Sequence, residues 1–277
     1  MKIGIVGLGL IGGSLAKAVK LHTKHEVLGY DISGDEMGRA ELTNAIDGRL
    51  TGENLPECEI VLVALYPHDI VRYISENADR FGAGTLVIDC GGVKKFVTDE
   101  LAAVKAGRLW HFIGGHPMAG REYSGFRHAQ DDLFENAPMI LTPGEDISLD
   151  LRGAAKEFFL DIGFGRVVFT TPEKHDEMIA YTSQLAHIIS NVYIRSELAM
   201  KHKGFSANSF QDMTRVARLN ARMWSELFLE NKDALVAELD GITERIGAVR
   251  DAIADGDEAR LTALLQNGND RKELLDS

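Results

Sequence analysis

The sequence predicts an α/β fold: a Rossmann-type, mostly parallel sheet followed by an all-helical domain through which two copies dimerise. Three observations carry this reading. Short β-branched runs at Lys2–Val6, Glu26–Tyr30, 59–65, 85–89, 138–142 and 166–170 alternate with stretches of helical spacing, such as Leu15 with Val19 and later 149–162. Near-continuous apolar strands of this kind belong to parallel sheets covered on both faces. A glycine turn follows the first strand, and beyond residue 170 only helical periodicity remains. At 277 residues the chain exceeds the usual size of a single core, so the expected division is a sheet domain at 1–170 and a helical domain at 171–277.

The first strand runs into Gly7-Leu8-Gly9-Leu10-Ile11-Gly12, a GxGxxG motif directly before the helical pattern of 14–20. The motif is weak alone and strong between a strand and a helix. Gly7 permits the tight turn, Gly9 lets the backbone approach a pyrophosphate, and Gly12 lets helix and strand pack closely. The amides of Leu10 and Ile11 then open the helix toward the anion. Asp31 closes the second strand, where a carboxylate accepts hydrogen bonds from the ribose hydroxyls of NAD and repels the 2′-phosphate of NADP. Residues 1–170 therefore read as a dinucleotide-binding domain for NAD.

Farther on, Gly114-Gly115-His116-Pro117-Met118-Ala119-Gly120-Arg121-Glu122-Tyr123-Ser124-Gly125 follows a short apolar stretch at Phe112 and Ile113. Its glycine content predicts a loop rather than the interior of an element, and loops at strand ends carry chemistry in such sheets. His116, between a glycine pair and a proline, is the candidate catalytic group.

Thr171-Pro172-Glu173 is a helix start, with a capping side chain, a proline at the first helical position and an acid in the first turn. No breaker occurs before Gly204, which predicts a helix of roughly 30 residues. Its apolar positions Met178, Tyr181, Leu185, Ile188, Ile189 and Val192 form one face. So long an apolar face asks for a second copy of the chain as cover. Arg215, Arg218 and Arg222 fall on one side of a further segment if it is helical; three like charges there call for an anionic ligand or for surface carboxylates. A strict seam at Leu235, Leu239, Ile242, Ile246, Val249 and Ile253 marks another helix packed along a helix. After it the sequence predicts a short helix at 258–266 and a polar tail.

Bulk properties narrow the classes of function. A net charge of −12 disfavours nucleic acid, which is held by clustered Lys and Arg. No apolar run is long enough to cross a membrane, and the chain opens on a strand with no signal-peptide pattern, so a cytoplasmic location is expected. Cys58 and Cys90 lack the spacing of a disulfide framework or a zinc site, and no metal is expected.

The glycine turn, the GGHPMAGxExSG segment, His175-Asp176 followed by Thr182-Ser183-Gln184-Leu185-Ala186-His187, and Asp212-Met213-Thr214-Arg215 leading to Met223-Trp224 together resemble the prephenate and arogenate dehydrogenases of tyrosine biosynthesis. The resemblance covers nearly the whole chain, and the segment around His116 is its most specific part. It implies NAD-dependent oxidative decarboxylation of prephenate to 4-hydroxyphenylpyruvate, with arogenate as the alternative substrate. His116 matches the family histidine that draws the proton from the ring hydroxyl, and Arg215 matches the arginine that binds a substrate carboxylate. Glu122 and Asp212 match acidic positions that orient that arginine or gate the pocket, and Trp224 matches a pocket aromatic. Gln184 stands in the substrate site where some members have a second histidine. There are departures: Asp89-Cys90-Gly91-Gly92-Val93-Lys94 has glycine where the family pattern has a serine, and Tyr66-Pro67 replaces Thr-Pro on the cofactor loop. Two other readings compete. A β-hydroxyacid dehydrogenase would need a lysine within the long helix, whereas Lys174 and Lys201 lie at its ends. A nucleotide sensor without catalysis is suggested by Gly92 and opposed by the presence of His116 and Arg215.

Overall fold

The computed structural model describes residues 1–121 and 123–277. The chain runs β1 (Lys2–Val6), α1 (Leu10–His22), β2 (Glu26–Tyr30), α2 (Gly34–Leu42), β3 (Gly48–Arg49), β4 (Ile60–Val63), α3 (Pro67–Asn77), β5 (Leu86–Asp89), α4 (Lys95–Lys105), β6 (His111–Pro117), β7 (Pro138–Pro143), α5 (Leu149–Asp161) and β8 (Arg166–Phe169). Among the described residues these strands form one eight-stranded sheet in the order β3-β2-β1-β4-β5-β6-β7-β8. All neighbours pair in parallel except β6 with β7. Starting at one edge and reversing direction of growth beside β1, this is the doubly wound order whose switch point lies between β1 and β4. Apolar side chains fill both faces: Ile3, Ile5, Leu62 and Ile88 on one, Val6, Val61, Val63 and Val87 on the other.

Helices follow: α6 (Pro172–Ile179), a widened π turn (Ala180–Leu185), α7 (Ala186–Tyr193), a 3₁₀ segment (Glu197–Lys201), α8 (Asn208–Thr214), α9 (Ala221–Glu230), α10 (Lys232–Asp255) and α11 (Glu258–Asp276). By contact the chain divides into two compact units, Met1–Asn231 and Lys232–Ser277. The second unit is the helical pair α10 and α11.

Four expectations are corrected. Residues 114–117 are not loop but the second half of β6, in register with β7 from Ile113↔Pro143 to Pro117↔Met139. The glycines are there for close approach: a Cβ on Gly115 would stand 2.5 Å from the Asp89 carbonyl oxygen and 2.6 Å from Met139 Cε, so bare backbone is what lets β6 lie against its neighbours. The helix that starts at Pro172 ends at Tyr193 rather than near Gly204, because Ser196 takes up the Leu198 amide at 3.3 Å and starts a separate 3₁₀ turn. Arg215, Arg218 and Arg222 do not share a helical face: α8 ends at Thr214, Arg218 lies in irregular chain, and Arg222 belongs to α9, which Asn220 caps. Finally α11 extends to Asp276, well past the expected 258–266, since no glycine or proline punctuates 269–276.

Adding a side chain within β6 tests the packing account. Gly115→Ala is expected to cost about 1–3 kcal/mol of stability, the usual penalty for overpacking, read as a lowered urea midpoint. An unchanged midpoint would show that the strand has room to spare.

Candidate active site

At the switch point, Gly7 adopts φ +84°, a left-handed conformation that side chains disfavour, and its amide donates to the Tyr30 carbonyl at 2.8 Å. A Cβ on Gly12 would run into the Gly7 carbonyl oxygen, while one on Gly9 would meet nothing within 4 Å. Gly12 thus serves packing, and Gly9 leaves open space at the helix entry. No described side chain caps the first turn of α1, so the amides of Leu10, Ile11 and Gly12 face outward as donors for an anion. Asp31 ends β2 with Oδ2 accepting the Leu8 amide at 2.7 Å and Oδ1 the Ser33 amide at 2.8 Å. Each oxygen keeps a further acceptor site. These residues fit the pyrophosphate and ribose of a dinucleotide.

On the neighbouring strand ends, β5 delivers Asp89 and β6 delivers His116. Asp89 and Lys94 form an ion pair whose side chains are both fully buried. The remaining capacity is filled: Asp89 accepts the Gly91 amide at 3.0 Å and the Gly115 amide at 3.1 Å, and Lys94 Nζ also donates to the Gly115 carbonyl. The pair therefore fastens the backbone on the N-terminal side of His116.

His116 is half-buried. Its Nδ1 lies 2.8 Å from Nε2 of His175, and His175 Nδ1 lies 2.7 Å from Asp176 Oδ1. Asp176 in turn accepts the amides of Lys94 and Lys95, both at 2.8 Å, and so caps α4, whose own first residues supply no capping side chain. Burial, then His175, then Lys94 hold the His116 imidazole well below the ordinary histidine value. His175 is also lowered, by burial first, with its bond to Asp176 opposing the shift. Both rings are neutral near pH 7.

The π turn sets the next layer. Gln184 is buried; its amide donates to the Leu227 carbonyl at 3.0 Å and its oxygen accepts from Asn231 at 2.8 Å. Asn231 also donates to the Asp176 carbonyl at 2.9 Å. Gln184, expected from the sequence in the substrate site, thus also braces α9 against the π turn. His187 Nδ1 donates to the Ser183 carbonyl at 2.8 Å, and its ring lies against Trp224 at 4.1 Å between centroids. From α9, the Leu227 side chain reaches to 3.1 Å from where a Cβ on Gly92 would be, so a side chain at this position would press on it. The cofactor-side helix α3 is tied to α9 as well: the His68 amide donates to Glu226 at 2.9 Å, and the His68 ring meets Glu230 at 3.0 Å.

The expected site residues thus divide. Gly7, Gly9, Leu10, Ile11, Gly12 and Asp31 form one group, and His116 stands at the same edge of the sheet on β6, with β4 and β5 between it and β1. Trp224 lies on α9 with its ring against His187. Arg215 follows the last turn of α8 and Asp212 lies within that helix, both exposed; the segment after them is anchored by Asn191, which donates to the Ala217 carbonyl at 3.0 Å. Glu122 lies outside the described residues. Sequence reasoning quoted His175 and Asp176 without giving them a role; the signal available was a histidine and a carboxylate one helical turn after a capped start, which does not reveal what they face.

Known proteins were compared with this chain. The family model described as prephenate dehydrogenase, nucleotide-binding domain, matches residues 15–169, and that described as prephenate dehydrogenase, dimerization domain, matches 171–267. A prephenate dehydrogenase of Bacillus subtilis is 30% identical over 98% of this chain and 75% of its own length. Among solved structures, A. aeolicus prephenate dehydrogenase in complex with hydroxyphenyl propionate and NAD+ has a TM-score of 0.84 at 26% identity, covering 99% of this chain and 98% of that one. Synechocystis arogenate dehydrogenase has a TM-score of 0.84 at 25% identity, covering 99% and 100%.

Removing the brace tests the layered site. Asn231→Ala takes the donor from the buried Gln184 oxygen and one of two from the Asp176 carbonyl, which keeps the Ala180 amide, and is expected to cost about 1–3 kcal/mol. Thermal unfolding checks this, and an unaltered Tm would mean that water replaces the amide without loss.

Proposed function

The chain belongs to the prephenate dehydrogenase family, and from that premise we propose that it oxidatively decarboxylates prephenate to 4-hydroxyphenylpyruvate in tyrosine biosynthesis, with NAD as cofactor. The observation that carries this reading is a neutral, half-buried His116 at the end of β6, on the same edge of the sheet as a dinucleotide-binding turn. NAD, when bound, accepts hydride from the ring carbon that bears the hydroxyl. His116 takes the hydroxyl proton as that carbon becomes a carbonyl, carbon dioxide leaves from the opposite ring position with its bonding electrons passing through the ring to that oxygen, and the phenolate takes the proton back from His116 to end as a phenol. A general base must be unprotonated to act, and burial keeps His116 in that state.

Arg215 is the group proposed to hold a substrate carboxylate, since its planar fork suits bidentate contact. Glu122 and Asp212 orient Arg215 or gate the pocket, and Trp224 supplies an apolar wall. Residues 1–170 bind the cofactor and residues 171–277 the substrate. A second copy covers the helical part: Tyr181, Val192 and Tyr193 along the helix are exposed, as are Met200 at 85% and Phe205 at 93%, and the model matching 171–267 is that of a dimerization domain. Among the described residues no helix is long and apolar enough to cross a membrane, and the reading places the enzyme in the cytoplasm. Arogenate, which has an amino group where prephenate has a keto group, is the second substrate, on the strength of the likeness to the Synechocystis enzyme.

The direct experiment follows NADH absorbance with NAD and either prephenate or arogenate. Reduction with prephenate supports the reading, reduction with arogenate alone transfers it to the second substrate, and none with either overturns it. His116→Asn is expected to lower turnover by about 10²–10⁴-fold while NAD still binds. The pH profile carries the sign of the shift: because the imidazole titrates below the ordinary value of 6.5, activity that needs its neutral form persists through pH 6.5 and falls only at lower pH. A limb centred at or above 6.5 contradicts the buried neutral base. Arg215→Ala is expected to weaken substrate binding by about 2–5 kcal/mol, seen as a raised KM; an unmoved KM assigns the carboxylate to another group.

A further inference from the structure

Behind His116 the partners of Asp176 and His175 fix which atoms donate and which accept when both rings are neutral. The Asp176 carboxylate already accepts two backbone amides, from Lys94 and Lys95 at 2.8 Å each, and an ionised carboxylate only accepts. Its 2.7 Å partner, His175 Nδ1, must therefore carry the proton; the opposite arrangement would set a lone pair against a carboxylate oxygen. A neutral imidazole with its proton on Nδ1 has a bare Nε2. That bare nitrogen lies 2.8 Å from His116 Nδ1, so His116 is the donor in this contact and its own lone pair is on Nε2.

We propose that His175, held by Asp176, is a positioning residue that locks His116 in the Nδ1–H tautomer, so that Nε2 is the atom that receives the substrate's hydroxyl proton. The inference rests on His116 being the base of the reaction proposed above. The row is built rigidly: His175 and Asp176 sit on consecutive positions of α6 and are buried. Asp176 is fixed at three atoms, with its backbone carbonyl engaged by Asn231. When Nε2 takes the proton, one O–H bond breaks, one N–H bond forms, and His116 becomes a cation. Its Nδ1–H bond to His175 is then charge-assisted and strengthens, and the negative charge of Asp176 lies next in the row. The contact thus sets which nitrogen of the base is bare, while burial and the neighbouring charges keep the ring neutral until the proton arrives.

The test reads the tautomer directly. Protein with ¹⁵N-labelled histidine rings, free of substrate, is examined by long-range ¹H–¹⁵N correlation, with His116→Asn identifying the His116 signals. The expected result is a protonated-type Nδ1 and a bare-type Nε2 on His116. His175→Phe, which removes the acceptor, is expected to abolish that preference and lower kcat by about 10²–10³-fold, as a misplaced tautomer does in other base-catalysed enzymes, with KM for prephenate within about threefold. His175→Gln, whose carbonyl oxygen can accept from Nδ1–H, restores the tautomer and most of kcat. A protonated Nε2 on His116 in the unmodified protein overturns the proposal, and so does a Phe variant that retains both tautomer and kcat. Should His175→Phe fail to fold, the unmodified protein's spectrum decides alone. A chain that shows the Nδ1–H tautomer yet reduces no NAD with either substrate refutes the proposed reaction and leaves the tautomer assignment standing; turnover with the opposite tautomer does the reverse.

Discussion

The buried pair of Asp89 and Lys94 is the constraint on which the rest of this site depends. Both side chains are fully buried, and isolated charges at such depth would be prohibitively costly. Their mutual contact offsets that cost only because the remaining donors and acceptors are engaged, and the groups they engage are the Gly91 amide and both the amide and carbonyl of Gly115. The pair thus staples the end of β5 to β6 one residue before His116. It also explains the composition of that strand. With Asp89 and Lys94 packed against it, β6 has no space for side chains at Gly114 and Gly115: Cβ atoms there would meet Lys94 Cδ at 3.2 Å and the Asp89 carbonyl oxygen at 2.5 Å. A locally poor strand sequence is the consequence of tertiary packing that overrides propensity.

That override marks the limit of what could be read in the chain. Where local periodicity and tertiary demand agree, the sequence was legible to the residue: β1 and β2 occur at Lys2–Val6 and Glu26–Tyr30 as expected, and the glycine turn lies between strand and helix. Glycine carries two meanings, conformational freedom and bare surface, and only contacts tell them apart. Gly7 uses the first, with its positive φ, while Gly12 and Gly115 use the second. The pair at 114–115 was read for freedom and proved to serve close approach. Helix ends misled for a related reason, since Ser196 and Thr214 end helical runs through local hydrogen bonds that no hydrophobic period records.

The candidate site was legible in its members that act on ligands and obscure in those that act on each other. A catalytic histidine and a cofactor turn leave local signatures. His175, Asp176, Gln184 and Asn231 leave none, because their partners are far away in the chain: Asp176 meets Lys94 across 82 positions and Asn231 across 55. Gln184 is legible in a family motif, but the part it plays in holding α9 to the π turn is not.

These partners also account for how an acidic chain, net −12, sustains a base that works beside an anionic substrate. A cationic histidine would attract that substrate but could not accept its proton. Here the positive charge nearest to the base, Lys94, is neutralised by Asp89, so it lowers the histidine without presenting a free ammonium to the ligand. In the proposed reaction, binding of the anion falls to Arg215, just past the end of α8. Separating the two tasks allows each group its proper protonation state: a neutral imidazole on the strand and a permanently charged guanidinium on a different element.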